Sequence, residues 1–118
     1  MAVVAAMSFV FIIVGAASAN QVIRGKAVYY SNFYVGKTMA CGGTYRRWKM
    51  ITAHRHLPCG TRLRVTNKRN GKKVTVRVAD RGPFGDSSIK LDLSRRAARR
   101  LGFLRQGVTR IRARVLSY

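Results

Sequence analysis

The feature that most limits the fold of this chain is the stretch TRLRVTNKRNGKKVTVRVAD, residues 61–80. Asn70-Gly71 at its centre is a dipeptide that favours the positive φ angles of a tight hairpin turn. Apolar and polar residues alternate on both sides, so one face collects the aliphatic side chains and the other collects Arg and Thr. The aliphatic positions are Leu63, Val65, Val74, Val76 and Val78. The stretch therefore predicts an antiparallel hairpin with one apolar and one cationic face.

Other segments extend this β pattern. The C-terminal run TRIRARVL alternates in the same way, and GKAVYYSNFYVGKT is typical of a strand that leads into an aromatic loop. In between, Ser94 is a good N-cap for the short helix RRAARRLG, and Gly102 is suited to end it. The chain is predicted to be mainly β with one or two short helices, closed into a barrel that leaves no strand edge exposed.

The first 19 residues are uncharged and apolar, and they end in Ala17-Ser18-Ala19. This small-x-small pattern predicts a signal peptide over residues 1–19, followed by a single domain over residues 20–118. The same run is long enough to be a membrane anchor, which is the alternative interpretation.

Charge limits the partners of this domain. The chain has 24 Lys and Arg residues, three acidic residues and a net charge of +21. Such a surface attracts polyanions: nucleic acid, anionic lipid or an acidic cell-wall polymer. Export favours the cell-wall polymer. The alternative for the Arg residues on the outward faces of the strands is a solvated surface without a dedicated ligand.

Cys41 and Cys59 are the only cysteines. An even number of cysteines in an exported chain predicts a disulfide between them. The alternative is a metal site that combines these two residues with His54 and His56, although the Cys-x-x-Cys spacing of structural zinc sites is missing.

Only three side chains could act as the general acid that cleavage of a glycosidic bond requires. Asp86 follows a glycine in a polar loop, where turn formation is its expected role. Asp92 precedes the helix and is expected to be structural. Asp80 has the parity of the inward-facing valines, which predicts a side chain at the apolar rim of the strand. It is the candidate acid, and the alternative is that it pairs with Arg81 to fix a turn.

Three segments carry a family resemblance: GKAVYYSNFYVGKTMACGG, ITAHRHLPCGTRLRVTNKRNGKKVTVRVADRGPF and LDLSRRAARRLG. Together they resemble the rare lipoprotein A (RlpA-like) family from about Gly25 to Leu116. The resemblance implies a six-stranded double-psi β-barrel and endolytic transglycosylase activity on bacterial peptidoglycan. The bond cut would join N-acetylmuramic acid to N-acetylglucosamine, leaving 1,6-anhydro ends.

The resemblance also implies site residues. His54 matches the histidine of the family's AHRxLPxGT pattern, and Asp80 matches the aspartate of its DRGP turn. These two are the expected catalytic pair, with no cofactor and no metal, in a monomer of the periplasm or cell wall. In the enzyme hypothesis the candidate sugar-binding residues are Tyr29, Tyr30, Phe33, Tyr45 and Arg81, and the alternative for the four aromatic residues is a place in the core.

Two departures from the family pattern matter. Gly43 stands where the family has an acidic residue, and Asn20 stands where a lipobox cysteine would follow the cleavage site, so no lipid anchor is expected. Gly43 favours the second hypothesis, a non-catalytic expansin-like module that binds wall glycan. A nucleic-acid binder is the third hypothesis and rests on charge alone.

Overall fold

The computed structural model describes residues 20–118, which form six strands around one barrel. In chain order they are β1 (Val22–Tyr29), β2 (Ile51–Ala53), β3 (Arg62–Asn67), β4 (Lys73–Asp80), β5 (Ile89–Leu93) and β6 (Thr109–Ser117). One α-helix, α1, spans Arg95–Leu101, and a single 3₁₀ turn spans Asn32–Tyr34. The prediction of a six-stranded, mainly β barrel is confirmed.

The barrel closes in the order β1-β5-β2-β4-β3-β6. The pairs β1–β5 and β2–β4 are parallel, and the other four are antiparallel. Parallel neighbours cannot be joined by a short hairpin and need a long connection. The connection from β1 to β5 includes the loop before β2 and the loop after β4. This mixed topology fits the predicted double-psi barrel, and it brings β4, β2 and β5 side by side.

The predicted hairpin is β3–β4, with Leu63 opposite Val76 and Val65 opposite Val74. Its turn differs from the tight two-residue form, because the N–H of Gly71 donates to the carbonyl of Asn67 and only Gly71 has a positive φ there. The Asn70 side chain instead donates from Nδ2 to the Leu101 carbonyl at 2.9 Å. The turn is longer than predicted, and within it Asn70 helps to satisfy the carbonyl at the end of α1.

Helix α1 begins and ends where the sequence predicts. The Ser94 side chain accepts a hydrogen bond from the Ala97 N–H at 3.2 Å. Gly102 ends the helix with a φ of +76°, a left-handed conformation that glycine adopts without strain.

The apolar residues form two clusters. The larger one fills the barrel and includes the alternating residues of β3, β4 and β6 together with α1. The smaller cluster lies on the outer face of β2 and β4 and consists of Tyr30, Met39, Tyr45, Ile51, Ala53 and Ala79. It provides the support for the candidate site described below.

The predicted signal peptide, residues 1–19, lies outside the described residues. From residue 20 to residue 118, no helix has both the length and the apolar character needed to cross a membrane.

Candidate active site

Asp80 is the last residue of β4, and an irregularity in the strand decides where it points. Thr52 pairs with Val78, but the next residue of β2, Ala53, pairs with Asp80, so Ala79 is an extra residue in β4. A bulge of this kind re-aims the side chains that follow it. The prediction that Asp80 shares the inward face of the valines is therefore wrong. Asp80 shares the outer face with Ala53, beside the smaller apolar cluster.

The Asp80 carboxylate accepts three hydrogen bonds from three different parts of the chain. The Tyr30 hydroxyl donates to Oδ2 at 2.5 Å. The backbone N–H groups of Ala40 and Arg81 donate to Oδ1 at 2.7 and 2.9 Å. These donors fix the orientation of a half-buried carboxylate at the rim of the barrel.

Tyr30 and Tyr45 hold this arrangement from one side. Their rings are stacked with centroids 4.4 Å apart, and both residues are buried. Burial raises the pKa of Tyr30 far above its ordinary value, and the hydrogen bond to Asp80 and the Asp80 charge raise it further. Tyr30 is therefore a permanent donor to Asp80. Neither ring is exposed as the sugar-stacking surface that the sequence predicts.

His54 directly follows β2, and its backbone N–H donates to the Asp80 carbonyl at 3.1 Å. Its imidazole is buried, and Nδ1 accepts from the N–H groups of His56 and Leu57 at 3.2 and 3.0 Å. Burial, assisted by the charges of His56 and Arg81, lowers its pKa to about 4. The ring is therefore neutral at pH 7, and it organises the turn that lies against Asp80.

Arg81 also acts on this turn. Its guanidinium donates to the Leu57 carbonyl at 2.6 Å and to the His54 carbonyl at 3.3 Å. Both bonds come from Nη1, and Nη2 donates to Cys59 Sγ at 3.5 Å. Arg81 stabilises the turn, and it is less available to a sugar than predicted.

A disulfide joins Cys41 to Cys59. The bond uses both sulfur atoms, so these cysteines are not the metal ligands of the alternative interpretation. Cys41 directly follows Ala40, the amide donor to Asp80, and Cys59 belongs to the turn that His54 and Arg81 organise. The disulfide therefore ties together two of the segments that surround the carboxylate.

The remaining aromatic candidates separate into two groups. Tyr29 donates its hydroxyl to the Leu104 carbonyl at 2.7 Å and packs edge-on against Phe103, so it lies partly buried against the core, and its contact with a sugar stays a prediction. Phe33 is 69% exposed, and Tyr34 links it to Tyr30 by edge-to-face contacts.

Sequence reasoning missed two exposed rings, Trp48 and Phe84, which are 66% and 77% exposed. Trp48 lines a hollow of about 290 Å³ whose other lining residues are Arg47, Arg95, Arg96 and Arg99. An indole surrounded by guanidinium groups suits a ligand with both a sugar face and an anionic group. The signal was present in RRWKM, residues 46–50, as an aromatic residue within a basic run.

Asp92, expected to be structural, lies in the same cross-strand row as Asp80. Ala53 pairs with Asp80 on one side and with Asp92 of β5 on the other. Burial raises the pKa of Asp92 to about 7, and the negative charge of Asp80 contributes. Its Oδ1 is buried and has no hydrogen-bond partner within residues 20–118. The sequence gives no sign of this, because the row depends on the order of strands in the barrel.

Gly43, for which the family resemblance implies an acidic residue, lies in the loop that also holds Ala40. Its φ is +76°, and a side chain there would begin about 3.9 Å from the Lys49 ammonium nitrogen. The loop thus has a cation near the position where an acidic side chain would stand.

A family model described as "Lytic transglycolase" matches residues 22–113. A curated relative, "Probable endolytic peptidoglycan transglycosylase RlpA" of Aquifex aeolicus, is 42% identical over 102 residues. That match covers 86% of this chain and 45% of the relative. The chain therefore spans less than half the length of that protein.

Two solved structures have similar folds. The Streptomyces papain inhibitor superposes with a TM-score of 0.66 at 27% identity, covering 82% of this chain and 96% of the inhibitor. A mutant expansin of Clavibacter michiganensis in complex with cellohexaose superposes with a TM-score of 0.65 at 26% identity, covering 82% and 51%. Because the family model spans nearly the whole barrel and the Aquifex relative shares 42% of the aligned residues, this chain belongs to the RlpA-like lytic transglycosylase family of double-psi β-barrels.

Proposed function

We propose that this chain is an endolytic lytic transglycosylase of bacterial peptidoglycan. It would cut the bond between N-acetylmuramic acid and N-acetylglucosamine and leave 1,6-anhydro-muramic ends. The observation that carries the proposal is the Asp80 carboxylate, oriented by Tyr30, Ala40 and Arg81 in a chain of this family. The name of the Aquifex relative supports the substrate class.

The reaction suits a site with few ionisable groups. The C6 hydroxyl of the muramic residue is the nucleophile, so no water has to be activated on the opposite face of the sugar. An intramolecular hydroxyl can have an effective molarity on the order of 10⁵ M or more, so geometry supplies much of the rate. The protein still has to transfer protons to and from the reacting oxygens, and Asp80 is the residue that does so. His54 positions Asp80 through the backbone and the turn.

Digestion of purified sacculi tests the proposal, followed by mass analysis of the released sugars. Wild-type protein is expected to release anhydro-muramic products. Asp80→Asn keeps the size of the side chain but cannot exchange the proton, so release per folded molecule should fall by about 10² or more. Asp86→Asn, which changes an exposed loop carboxylate, is the matched control and should stay active.

Other outcomes would contradict this assignment. Products with reducing ends would indicate a hydrolase. If Asp80→Asn lowers the melting temperature but keeps its turnover per folded molecule, Asp80 only pins the loop and the turn.

The second candidate function is an expansin-like module that binds wall glycan without cleaving it. Gly43, which replaces the family's acidic residue, favours it, as does the similarity to the expansin fold. Binding of sacculi without release of any sugar, under conditions in which an active relative releases it, would establish this function.

We also infer where the protein acts and in what form. Residues 1–19 serve as a signal peptide that is removed before Asn20, and the mature monomer works in the periplasm or cell wall. Peptidoglycan strands are its partner, to the exclusion of nucleic acid. Mass analysis of the N-terminus of the exported protein tests the cleavage site; a retained residue 1–19 segment would instead support the membrane-anchor alternative.

A further inference from the structure

Two carboxyl groups face the same side of the barrel wall, separated by one small residue. Asp80 of β4 and Asp92 of β5 both pair with Ala53 of the intervening strand β2. Neighbouring strands are about 4.8 Å apart, so the two Cα atoms are roughly 10 Å apart. Two carboxyl groups on one face of the sheet can both reach one side of a bound sugar, which is where the glycosidic oxygen and the C6 oxygen of the muramic residue lie.

The two carboxyl groups have opposite surroundings. Asp80 receives three hydrogen bonds at the rim. Asp92 is half-buried, and its Oδ1 has no donor in the described part of the chain. A buried polar atom without a partner is costly and calls for a functional explanation. When the surroundings of two neighbouring carboxyl groups move their pKa values apart, one can act as an acid while the other acts as a base.

We propose that Asp92 is the proton donor of the cleavage step and that Asp80 is the base that accepts the C6 hydroxyl proton. This assignment rests on the proposed transglycosylase function and divides its acid/base work between two residues. Asp92 gives its proton to the glycosidic oxygen as the bond from muramic C1 to that oxygen breaks. The C6 oxygen bonds to C1 and releases its proton to Asp80. No water is consumed, and one proton passed from Asp80 to Asp92 through solvent restores the enzyme.

The neighbours of Asp92 favour the protonated form near neutral pH. Asp80 faces it from β4, and the Asp92 charge acts on Tyr30 and Tyr45 of the neighbouring segments. Lys90 precedes it by two residues but is an extra residue in the pairing of β5 with β1, so alternation does not place it on the same face. Val28 of β1 and Ala53 of β2 are the apolar partners of Asp92. Desolvation is the largest influence, followed by the Asp80 charge, and both raise the pKa, to about 7. A carboxyl group with this pKa is mostly protonated below pH 7, and it loses its proton as the pH rises above that value.

The decisive experiment compares pH–rate profiles for release of anhydro sugars from sacculi. Wild-type kcat/KM is expected to fall above about pH 7. Asp92→Asn should lower kcat/KM by about 10² or more at pH 6 while keeping the fold, because asparagine matches the size of the neutral acid. Asp92→Glu should keep some activity, and its kcat/KM should still fall at high pH. An Asp92→Asn protein with at least half of the wild-type rate and the same pH profile would overturn the assignment.

A readout that needs no substrate separates this proposal from the proposed function. Carboxyl ¹³C shifts followed against pH should give Asp92 a pKa near 7, and Asp80→Asn should lower that value because a neighbouring negative charge is removed. An Asp92 pKa near 4 would overturn the assignment even if the protein is active. Wild-type protein that releases no sugar at any pH would instead refute the transglycosylase function itself.

Discussion

At the scale of single residues, His54 shows how a motif histidine can serve geometry. Its Nδ1 accepts two backbone hydrogen bonds, and its lowered pKa keeps it neutral at pH 7. Sequence reasoning identified the residue, but it could not show that one ring nitrogen is occupied by the turn. A neutral ring with Nδ1 engaged points to positioning of Asp80 rather than to proton donation.

Two substitutions separate positioning from chemistry. His54→Ala leaves the N–H groups of His56 and Leu57 without an acceptor, so we expect a loss of about 1–3 kcal/mol in the free energy of unfolding. His54→Asn retains an acceptor oxygen close to the backbone and should lose less. Chemical denaturation and activity per folded molecule measure the two effects. A well-folded but inactive His54→Asn protein would show that the imidazole itself takes part in the reaction.

Alternation of apolar and polar residues predicts the direction of side chains only while a strand stays regular, as the two carboxylates show. The pattern placed Val74, Val76 and Val78 correctly, and all three are buried. It failed two residues later because Ala79 is an extra residue in the strand. The position of Asp92 beside Asp80 was missed for a different reason, since no local pattern records which strands become neighbours in a closed barrel.

At the scale of elements, the disulfide couples two loops to the end of β4. Cys41 and Cys59 are 18 residues apart, and the segment at Cys41 also bonds to β4 through its N–H and the Ala79 carbonyl. The sequence predicted the pairing from the even number of cysteines. It gave no hint that Ala40, one residue away, donates to Asp80.

Removing the disulfide should therefore affect both stability and activity. We expect the double variant Cys41→Ser and Cys59→Ser to lose about 3 kcal/mol in the free energy of unfolding, because an 18-residue separation is no longer constrained in the unfolded chain. Sugar release per folded molecule should fall as well, because the Ala40 donor is less well held. Urea titration and the sacculus assay measure these changes, with reduced wild-type protein as the control. Full activity in the folded variant would show that the loop keeps its place without the bond.

The strands that were predicted are those with clear alternation, namely β3, β4 and β6. Strand β2 has three residues, too few to form a recognisable pattern, and β5 has five. These two strands carry Ala53 and Asp92, so the juxtaposition of Asp92 with Asp80 depends on the least predictable elements. Family resemblance supplied the barrel, because its motifs span the chain.

At the scale of the whole molecule, like charges face one another around the barrel. Arg64 pairs with Arg114, Arg24 with Arg112 and Lys26 with Arg110 across neighbouring strands. Like charges directly opposite on a sheet are destabilising. With a net charge of +21, the folded state carries a repulsion that anions can reduce.

We expect stability to rise with ionic strength for this reason. Between about 10 mM and 0.5 M salt the melting temperature should increase by roughly 5 °C, since a gain of about 1 kcal/mol shifts a small domain by that amount. Differential scanning calorimetry measures the change. Arg114→Thr, which removes one like-charge pair on the surface, should reduce the salt response. A melting temperature that is constant or falls with salt would contradict this account.

The link between the disulfide and Asp80 has a consequence for the producing cell. Disulfides form in oxidising compartments and are rare where thiols are kept reduced. Under the proposed function and export, a newly made chain would hold the Asp80 carboxylate loosely until the Cys41–Cys59 bond closes in an oxidising compartment. Formation of the disulfide would then coincide with the proposed export, and the proposed glycan-cutting activity would stay low during synthesis.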